Sequence, residues 1–410
     1  MQEFTFKMDS QSKQPLYRQL YNYLVNEIKS GNLREGEKLP GKKSLAAHLG
    51  MSQSTVESAY DMLAAEGYVL AKPRSGFYVN PLDFFETVNE NAKQISPYGS
   101  EQAECGESRQ YLYSLLSGNI DTTVFPYGTW AKITKEVVYN NRDILSYGDG
   151  HGDYSLRQSL TKYLHEFRGV SCSPKQVIIG AGLEYLLPLV YRILGDDAVF
   201  ALEDPGYKKT ADIFRNHGAK IEFLPVDEGG MAISDLHSSL AQVAYITPSH
   251  QFPLGVVMPV GRRLQMLSWA YEKPDRYIIE DDYDSEFRYN GSPIPALQGL
   301  DQKDRVIYVG TFSRSIAPAF RLAYMVLPPK LMTVYDEKFT SYATTVSRLD
   351  QNIMNEFMAG GHFARHLNKV RNAYKQRRDA LVGALQNSPL ADKIQIAGGK
   401  TGLHLSLIHI

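Results

Sequence analysis

The feature that most constrains the fold is an alternation of short apolar segments with helical segments across the central part of this 410-residue chain. β-branched or apolar runs bounded by turn residues are typical of strands, and longer amphipathic runs are typical of helices. The segments expected on this basis are strands at Val177–Ile179, Ala198–Leu202, Ile221–Leu224, Ala244–Thr247, Tyr277–Glu280 and Val306–Val309, and helices at Lys209–His217 and, as one long helical pattern, from Leu331 to Leu385. The alternation predicts an α/β domain with a mostly parallel sheet and helices on both faces.

The first 80 residues follow a different pattern, that of three short helices and a hairpin. Apolar residues recur every four positions from Leu16 to Ile28, which predicts an amphipathic helix. Gly50 closes a second helix, and Ser52 can cap a third. Two short strands then flank a Pro/Gly turn at residues 72–76. This order of elements, in which a helix, a glycine turn and a second helix precede a hairpin, predicts a winged helix-turn-helix domain.

The expected domain organisation is a DNA-binding domain at 1–80, a polar linker at 81–109 and an α/β domain at 110–404. Residues 405–410, LSLIHI, resemble translated transposon sequence, so we interpret them as a probable cloning or sequencing scar on a truncated gene. With only Cys105 and Cys172 present, a disulfide scaffold is excluded and a reducing compartment is favoured. We found neither a signal peptide nor an apolar run of the ~18 residues that a membrane span needs, which predicts a cytoplasmic protein with no membrane partner.

The charge balance alone gives weak support for nucleic-acid binding. Residues 1–80 carry ten Lys and Arg against eight Asp and Glu, a net charge of +2, and the remainder carries 34 against 37, a net charge of −3. DNA contact therefore depends on where the charges stand. Candidate contacts are outward residues of the third helix, lysines of the second and basic residues of the wing: Ser52, Gln53, Ser54, Thr55, Ser58, Lys42, Lys43, Lys72 and Arg74. For any one of them, a solvated surface is the simpler interpretation.

The order of these segments resembles the winged helix of the GntR family. The matching stretches are PLYRQL, GEKLP, SLAAHLGMSQSTVESAYDMLAAEGY and RSGFYV. Gly41-Lys42-Lys43 stands where that family usually has Ser-x-Arg, and Gln53 stands where arginine is common. These departures leave the fold intact and bear on which operator the domain prefers.

Several pieces of the second domain suit a phosphorylated aromatic ligand. Gly180-Ala181-Gly182 follows a strand and opens a helix, where backbone N–H groups can bind phosphate, although glycines there also serve packing. Glu280-Asp281-Asp282-Tyr283 ends a strand at the edge where open α/β sheets bind ligands, although a solvated acidic loop would look the same. Arg321 could pair with a phosphate.

Together these stretches resemble the fold-type I aminotransferase domain that is joined to GntR wings in the MocR/GabR family. The matching stretches are YGDGHGDYSLRQSL, VIIGAGLEYLL, EDPGY, ITPSHQFPLG, IIEDDYDSEFRY, GTFSRSIAPAFRLAYMVLP and GGHFARHLNKVR. The resemblance implies pyridoxal 5'-phosphate as cofactor. It places Asp281 at the pyridine nitrogen, Tyr283 at the ring hydroxyl and Tyr207 on the ring face. It also implies phosphate contacts from Gly182, Leu183, Ser313 and Arg321, and it places His250 and Gln251 near the ring edge.

Arg314 departs from the family at the decisive position. Relatives carry the Schiff-base lysine there, and arginine stays protonated, so it cannot supply the neutral amine that the covalent bond needs. Leu183 and Glu184 also replace the Thr or Ser and the Gln that are common near the phosphate. We therefore expect no catalytic residue at this site and a cofactor that is bound non-covalently or lost.

The sequence thus predicts a regulator that binds a double-stranded DNA operator as a homodimer. Its second domain would sense pyridoxal phosphate or an amino-acid-like effector. An aminotransferase with an appended DNA-binding module is the alternative, which Arg314 disfavours, and a regulator that works without cofactor is a third.

Overall fold

The computed structural model describes residue 6 and residues 14–73, 75–81, 120–289 and 294–409. The chain divides into two compact units, residues 1–114 and 115–410. The predicted linker lies outside the described residues except for residue 81, and so do Arg74 and Cys105. Among the described residues, no helix combines the length and the apolar character needed to cross a bilayer.

The first unit has the three helices and the hairpin that the pattern predicts. They are α1 (Leu16–Lys29), α2 (Lys42–Leu49), α3 (Gln53–Ala65), β1 (Val69–Lys72) and β2 (Gly76–Val79). Gly50 ends α2 with a φ of 64°, a left-handed conformation that glycine adopts at low cost. The Ser52 side chain caps α3 by accepting a hydrogen bond from Thr55 N at 3.1 Å. Leu20, Leu24 and Val56 are among the buried residues that join these helices in one core.

The second unit is built on an eight-stranded sheet of order β3-β10-β9-β8-β7-β4-β5-β6. Its strands are β3 (Val177–Gly180), β4 (Val199–Asp204), β5 (Lys220–Asp227), β6 (Gly230–Met231), β7 (Val243–Ile246), β8 (Tyr277–Asp282), β9 (Val306–Thr311) and β10 (Ala323–Val326). Neighbouring strands are parallel in the four pairs β5–β4, β4–β7, β7–β8 and β8–β9. This confirms the predicted mostly parallel sheet.

Helices cover both faces of this sheet. They are α4 (Tyr127–Asn140), α5 (Tyr154–Arg168), α6 (Leu183–Leu194), α7 (Lys208–Asn216), α8 (Ile233–Ser238), α9 (Val260–Tyr271), α10 (Pro329–Phe339), α11 (Arg348–Ala359) and α12 (His362–Gln386). In β4, Phe200 belongs to the apolar cluster that contains α6 and α7 residues, whereas Ala201 belongs to the cluster that contains α9 residues. Neighbouring strand residues point to opposite faces, so the two clusters lie on opposite sides.

Three sequence expectations need correction. The helical pattern from Leu331 to Leu385 is three helices, because the chain turns between α10 and α11 and because Gly361, with a φ of 68°, separates α11 from α12. The sequence analysis missed β10, which pairs antiparallel with both β3 and β9. Finally, Ser406–His409, which the sequence predicts to be a scar, forms β12 and pairs with β11 (Ile394–Ala397). The origin of that segment stays a prediction.

Candidate functional site

Helix α3 presents a short polar surface at its N-terminal half. Gln53, Ser54 and Ser58 are exposed, whereas Val56 and Ala59 are fully buried against the other helices. Side chains of this size donate and accept hydrogen bonds at base edges and phosphates. The buried face fixes the helix, so the exposed face is presented rigidly.

The basic residues next to α3 differ in how much they can offer a phosphate. Lys43 is exposed, but the ammonium of Lys42 lies 2.7 Å from Glu57 and 3.7 Å from Asp61, so its charge is already shared. In the wing, Lys72 is exposed and its Nζ lies 4.7 Å from the centre of the Tyr78 ring. Lys38, which the sequence analysis missed, stands 5.8 Å from the same ring because residues 38 and 78 form a β-bridge.

The second unit contains a cavity of about 260 Å³ at the carboxyl end of its parallel strands. All seven residues that the sequence analysis assigned to a cofactor line it: Gly182, Leu183, Tyr207, Asp281, Tyr283, Ser313 and Arg321. They converge because Gly182 follows β3, Tyr207 follows β4, Asp281 lies in β8 and Ser313 follows β9, and parallel strands end at one edge of a sheet.

Buried acids form one side of this cavity and lie beneath it. Asp281 is 4% exposed, its Oδ2 accepts a hydrogen bond from Tyr245 Oη, and its Oδ1 has no partner among the described residues. Burial raises the pKa of Asp281 to about 7. Burial likewise raises the pKa of Glu203 to about 7, although Thr247 donates to its Oε2 at 2.8 Å. Each carboxyl can therefore hold a proton near neutral pH.

Aromatic side chains form another part of the wall. The rings of Tyr207 and Phe252 meet edge to face, with centroids 5.4 Å apart, and both line the cavity. Tyr283 Oη donates to the backbone oxygen of His250 at 2.7 Å, which fixes the phenol at the cavity edge. His250 and Gln251, expected near the ring edge, lie behind this wall and do not line the cavity.

The opposite end of the cavity is lined by groups that can bind an anion, namely a helix N-terminus and two cations. Gly182, with a φ of 89°, precedes α6, and a Cβ there would collide with the guanidinium of Arg321. Arg321 Nη2 contacts one oxygen of Glu184, and Lys209 Nζ contacts the other. Partial burial would raise the pKa of Glu184, but the hydrogen bond from Lys209 and the charge of Arg321 outweigh it, so the net shift is downward. Both cations are thus paired with a carboxylate of the chain itself.

Arg314 also lines the cavity, one residue after Ser313. Burial raises the pKa of Tyr283 well above its usual value, and the charge of Arg314 opposes that rise only in part. A permanently charged guanidinium therefore acts on the phenol at the cavity edge.

Sequence reasoning missed Lys209, Glu203 and Tyr245, which stand beside or beneath the predicted set. Glu203 opens the EDPGY stretch that the resemblance quoted, so a motif signal for it existed. Lys209 and Tyr245 had none, because their proximity to the site arises from the packing of α7 and β7.

Comparison with known proteins places both units in families. Residues 16–79 match the bacterial regulatory proteins of the gntR family, and residues 114–406 match aminotransferase class I and II. The chain is 39% identical to the HTH-type transcriptional regulator YdeL of Bacillus subtilis (strain 168), covering 96% of the chain and 84% of that protein. It is 34% identical to the probable rhizopine catabolism regulatory protein MocR of Rhizobium meliloti, covering 97% and 82%. The chain belongs to the MocR-type transcriptional regulators. The resemblance proposed from the sequence is confirmed, and so is its assignment as a regulator.

Solved structures resemble the second unit. A Pyrococcus horikoshii kynurenine aminotransferase, solved in complex with PMP, is 30% identical with a TM-score of 0.63, covering 70% of this chain and 73% of that chain. The α-aminoadipate aminotransferase LysN of Thermus thermophilus is 25% identical with a TM-score of 0.62, covering 70% and 74%. The fold-type I aminotransferase fold is confirmed.

Proposed function

We propose that this MocR-type regulator binds pyridoxal 5'-phosphate without a covalent bond and couples the occupancy of that cavity to operator binding. The observation that carries the proposal is the cavity itself. It brings together the seven residues that the family resemblance implies, and Arg314, which stands where that resemblance implies a lysine, lines it as well. The DNA-reading residues proposed are the exposed polar set on α3, together with Lys43, Lys72 and Arg74.

The residues present fit the cofactor at both ends. Asp281 Oδ1 is a buried oxygen without a partner among the described residues, and a protonated pyridine nitrogen is the donor that it lacks. The other end offers hydrogen-bond donors to a phosphate. They come from the turn at Gly182, from the start of the helix that follows it, and from Ser313 and Arg321. Tyr207 supplies an aromatic surface between the ends.

Each residue has a distinct task in this proposal. When bound, pyridoxal phosphate supplies an aldehyde and an electron-accepting ring. Asp281 would keep the ring nitrogen protonated, Tyr283 would orient the ring through its hydroxyl, and Arg321 would hold the phosphate after leaving Glu184. Arg314 cannot form a covalent bond to an aldehyde, because its guanidinium keeps its proton. The domain would therefore act as a sensor of the cofactor or of an amino-acid-like effector, in a cytoplasmic homodimer.

Two other functions are the alternatives, an aminotransferase and a regulator without cofactor. An aminotransferase needs an amine that carries the cofactor and moves protons, and Arg314 lines the cavity where the family resemblance implies that amine. A regulator that has lost the cofactor remains the third candidate, and the pairing of Glu184 with Arg321 is the observation that favours it.

The experiment compares pyridoxal phosphate binding by the full chain and by Arg314→Lys. Both proteins are dialysed against the cofactor, treated with borohydride and analysed by mass spectrometry. We expect reversible binding and no adduct in the cavity for the natural sequence, and a reduced adduct at position 314 in the variant. Arg142→Lys, which changes an exposed arginine in the same way, is the control and should gain nothing.

Two results would overturn the proposal. An adduct within the cavity of the unaltered protein would show that another amine serves the site. Absence of binding at millimolar pyridoxal phosphate would favour the regulator without cofactor. Fluorescence anisotropy of an operator fragment with and without pyridoxal phosphate then measures the coupling, and equal affinities would remove the sensing role.

A further inference from the structure

A second cluster of polar side chains lies behind the cavity, where three separate loops meet. His250 follows β7, Asp284 follows β8, and His404 belongs to the segment that precedes β12. One potential ligand atom from each residue lies within 4.8 Å of the other two. His250 and Asp284 are each 1% exposed and His404 is partly buried, so two of the three residues lie in the interior of the second unit.

The hydrogen bonds within the cluster leave imidazole nitrogens without partners. His250 Nδ1 lies 2.9 Å from Asp284 Oδ2, which also accepts from Leu403 N at 3.1 Å. Among the described residues, neither His250 Nε2 nor His404 Nε2 has a hydrogen-bond partner, and both atoms are buried. A buried polar atom without a partner costs about 1–3 kcal/mol. A purely structural Asp–His pair would explain the position of His250 Nδ1. It would leave His250 Nε2 and His404 Nε2 unexplained.

The local backbone is shaped around His250. The two imidazole rings lie with centroids 4.2 Å apart and tilted by 35°. Gly402, with a φ of 76°, brings the main chain so close that a Cβ there would collide with both His250 and Asp284. The turn at Gly402 therefore delivers His404 to the other two residues, which are far away in sequence.

We propose that His250, Asp284 and His404 bind one divalent transition-metal ion of the zinc class. Two imidazole nitrogens and one carboxylate oxygen suit Zn²⁺, Co²⁺ or Ni²⁺, whereas Mg²⁺ and Ca²⁺ prefer sets of oxygen ligands. Ligand atoms of a tetrahedral zinc site lie roughly 3.4 Å apart, given bonds of about 2.0–2.1 Å. The three potential ligand atoms lie within 4.8 Å of one another, so the side chains would have to rotate to close around an ion.

Binding of the ion would tie the segment that carries His404 to the loops after β7 and β8. The effect reaches the cavity, because Tyr283 Oη donates to the backbone of His250 and lies 3.5 Å from its Nδ1. The bound ion would thus stabilise the loops of the second unit that lie beside its ligand cavity. The proposal does not depend on whether the cavity binds pyridoxal phosphate.

The test titrates untagged, chelator-treated full-length protein with ZnSO₄ and with CoCl₂. We expect one equivalent of zinc with micromolar or tighter affinity, a rise in Tm and a visible Co²⁺ spectrum typical of four-coordinate nitrogen and oxygen ligands. His404→Gln should weaken zinc binding at least tenfold and abolish the rise in Tm. His165→Gln, which alters an exposed histidine, is the matched control and should bind as the unaltered protein does.

A measurement on the unaltered protein guards against a variant that fails to fold. Crystals soaked in ZnSO₄ should give an anomalous diffraction peak between these three side chains. Less than 0.2 equivalent of zinc bound, a peak elsewhere, or equal affinities of His404→Gln and the unaltered protein would each overturn the proposal.

Discussion

Glu184 offsets the positive charge at the anion-binding end of the cavity. Its two carboxylate oxygens contact Arg321 and Lys209, which are the cations that a phosphate would need. An incoming phosphate must therefore displace a carboxylate that belongs to the chain itself. The ion pairs are partly exposed, so their individual strength is modest.

Glu184→Gln should therefore raise the affinity for pyridoxal phosphate, by roughly three- to tenfold, because removing the competing charge frees two cations. Isothermal titration calorimetry measures the change, with inorganic phosphate as a second probe. Glu166→Gln removes an exposed carboxylate elsewhere and should change nothing. Unchanged or weaker binding by Glu184→Gln would mean that Glu184 does not compete with the phosphate.

Glu203 should make the stability of the second unit depend on pH. Its folded-state pKa of about 7 lies above the ordinary glutamate value, so the folded protein keeps a proton that the unfolded chain releases. Stability should fall as pH rises from about 4.5 to 7. Glu203→Gln should regain on the order of 2 kcal/mol at pH 8 and almost nothing at pH 4.

Thermal unfolding at both pH values checks this prediction, and Glu228→Gln, which alters an exposed carboxylate, is its control. A variant that is equally stabilised at pH 4 and pH 8 would show that the effect is not due to ionisation.

At the level of elements, α3 and the wing would have different tasks in the proposed DNA binding. Helix α3 is held by its buried face and capped by Ser52, so its exposed polar residues keep a fixed position relative to one another. The wing strands β1 and β2 bring Lys72 and Lys38 to the ring of Tyr78. A rigid helix with short polar side chains suits base contacts, whereas lysines suit the phosphate backbone.

Ser54→Ala should weaken binding to the preferred operator more than to scrambled DNA. Lys72→Ala should weaken both alike and lower the slope of log affinity against log salt by about 1. Fluorescence anisotropy between 50 and 200 mM salt measures both effects, with Lys135→Ala, in the second unit, as the charge control. Equal losses on both DNAs for both variants would contradict the assignment of α3 as the reading helix.

At the level of the whole molecule, the second unit exposes large apolar side chains along one stretch of sequence. Tyr127, Tyr139, Leu145 and Tyr147 are 64, 74, 90 and 97% exposed. Exposed apolar residues in such number are typical of an interaction surface, and a second copy of the chain is the partner that the homodimer prediction requires.

We expect the protein to sediment as a dimer at micromolar concentration, and Leu145→Asp to raise the dimer dissociation constant at least tenfold, because it buries a charge in an apolar contact. Leu240→Asp, at a residue that is 79% exposed elsewhere in the unit, should leave the constant unchanged. A monomer for the unaltered protein would contradict the predicted homodimer. Equal effects of the two variants would contradict the assignment of this surface to the dimer interface.

The sequence by itself determined most of the large sheet's strands, the winged helix-turn-helix pattern and the family resemblance. Periodic apolar positions predicted α1 and α3, and apolar runs bounded by turn residues predicted six strands of the large sheet. The resemblance to the aminotransferase family implied seven of the residues that line the cavity. Such information is local, since propensity, capping and a strand followed by a glycine turn are written in neighbouring residues.

The tertiary structure decided which distant side chains meet. It placed β10 antiparallel between β3 and β9, paired Glu184 with Arg321, and joined His250 and Asp284 with His404. None of these contacts has a sequence period or spacing. They depend on chain reversals and on the packing of several elements at once, so only the folded chain specifies them.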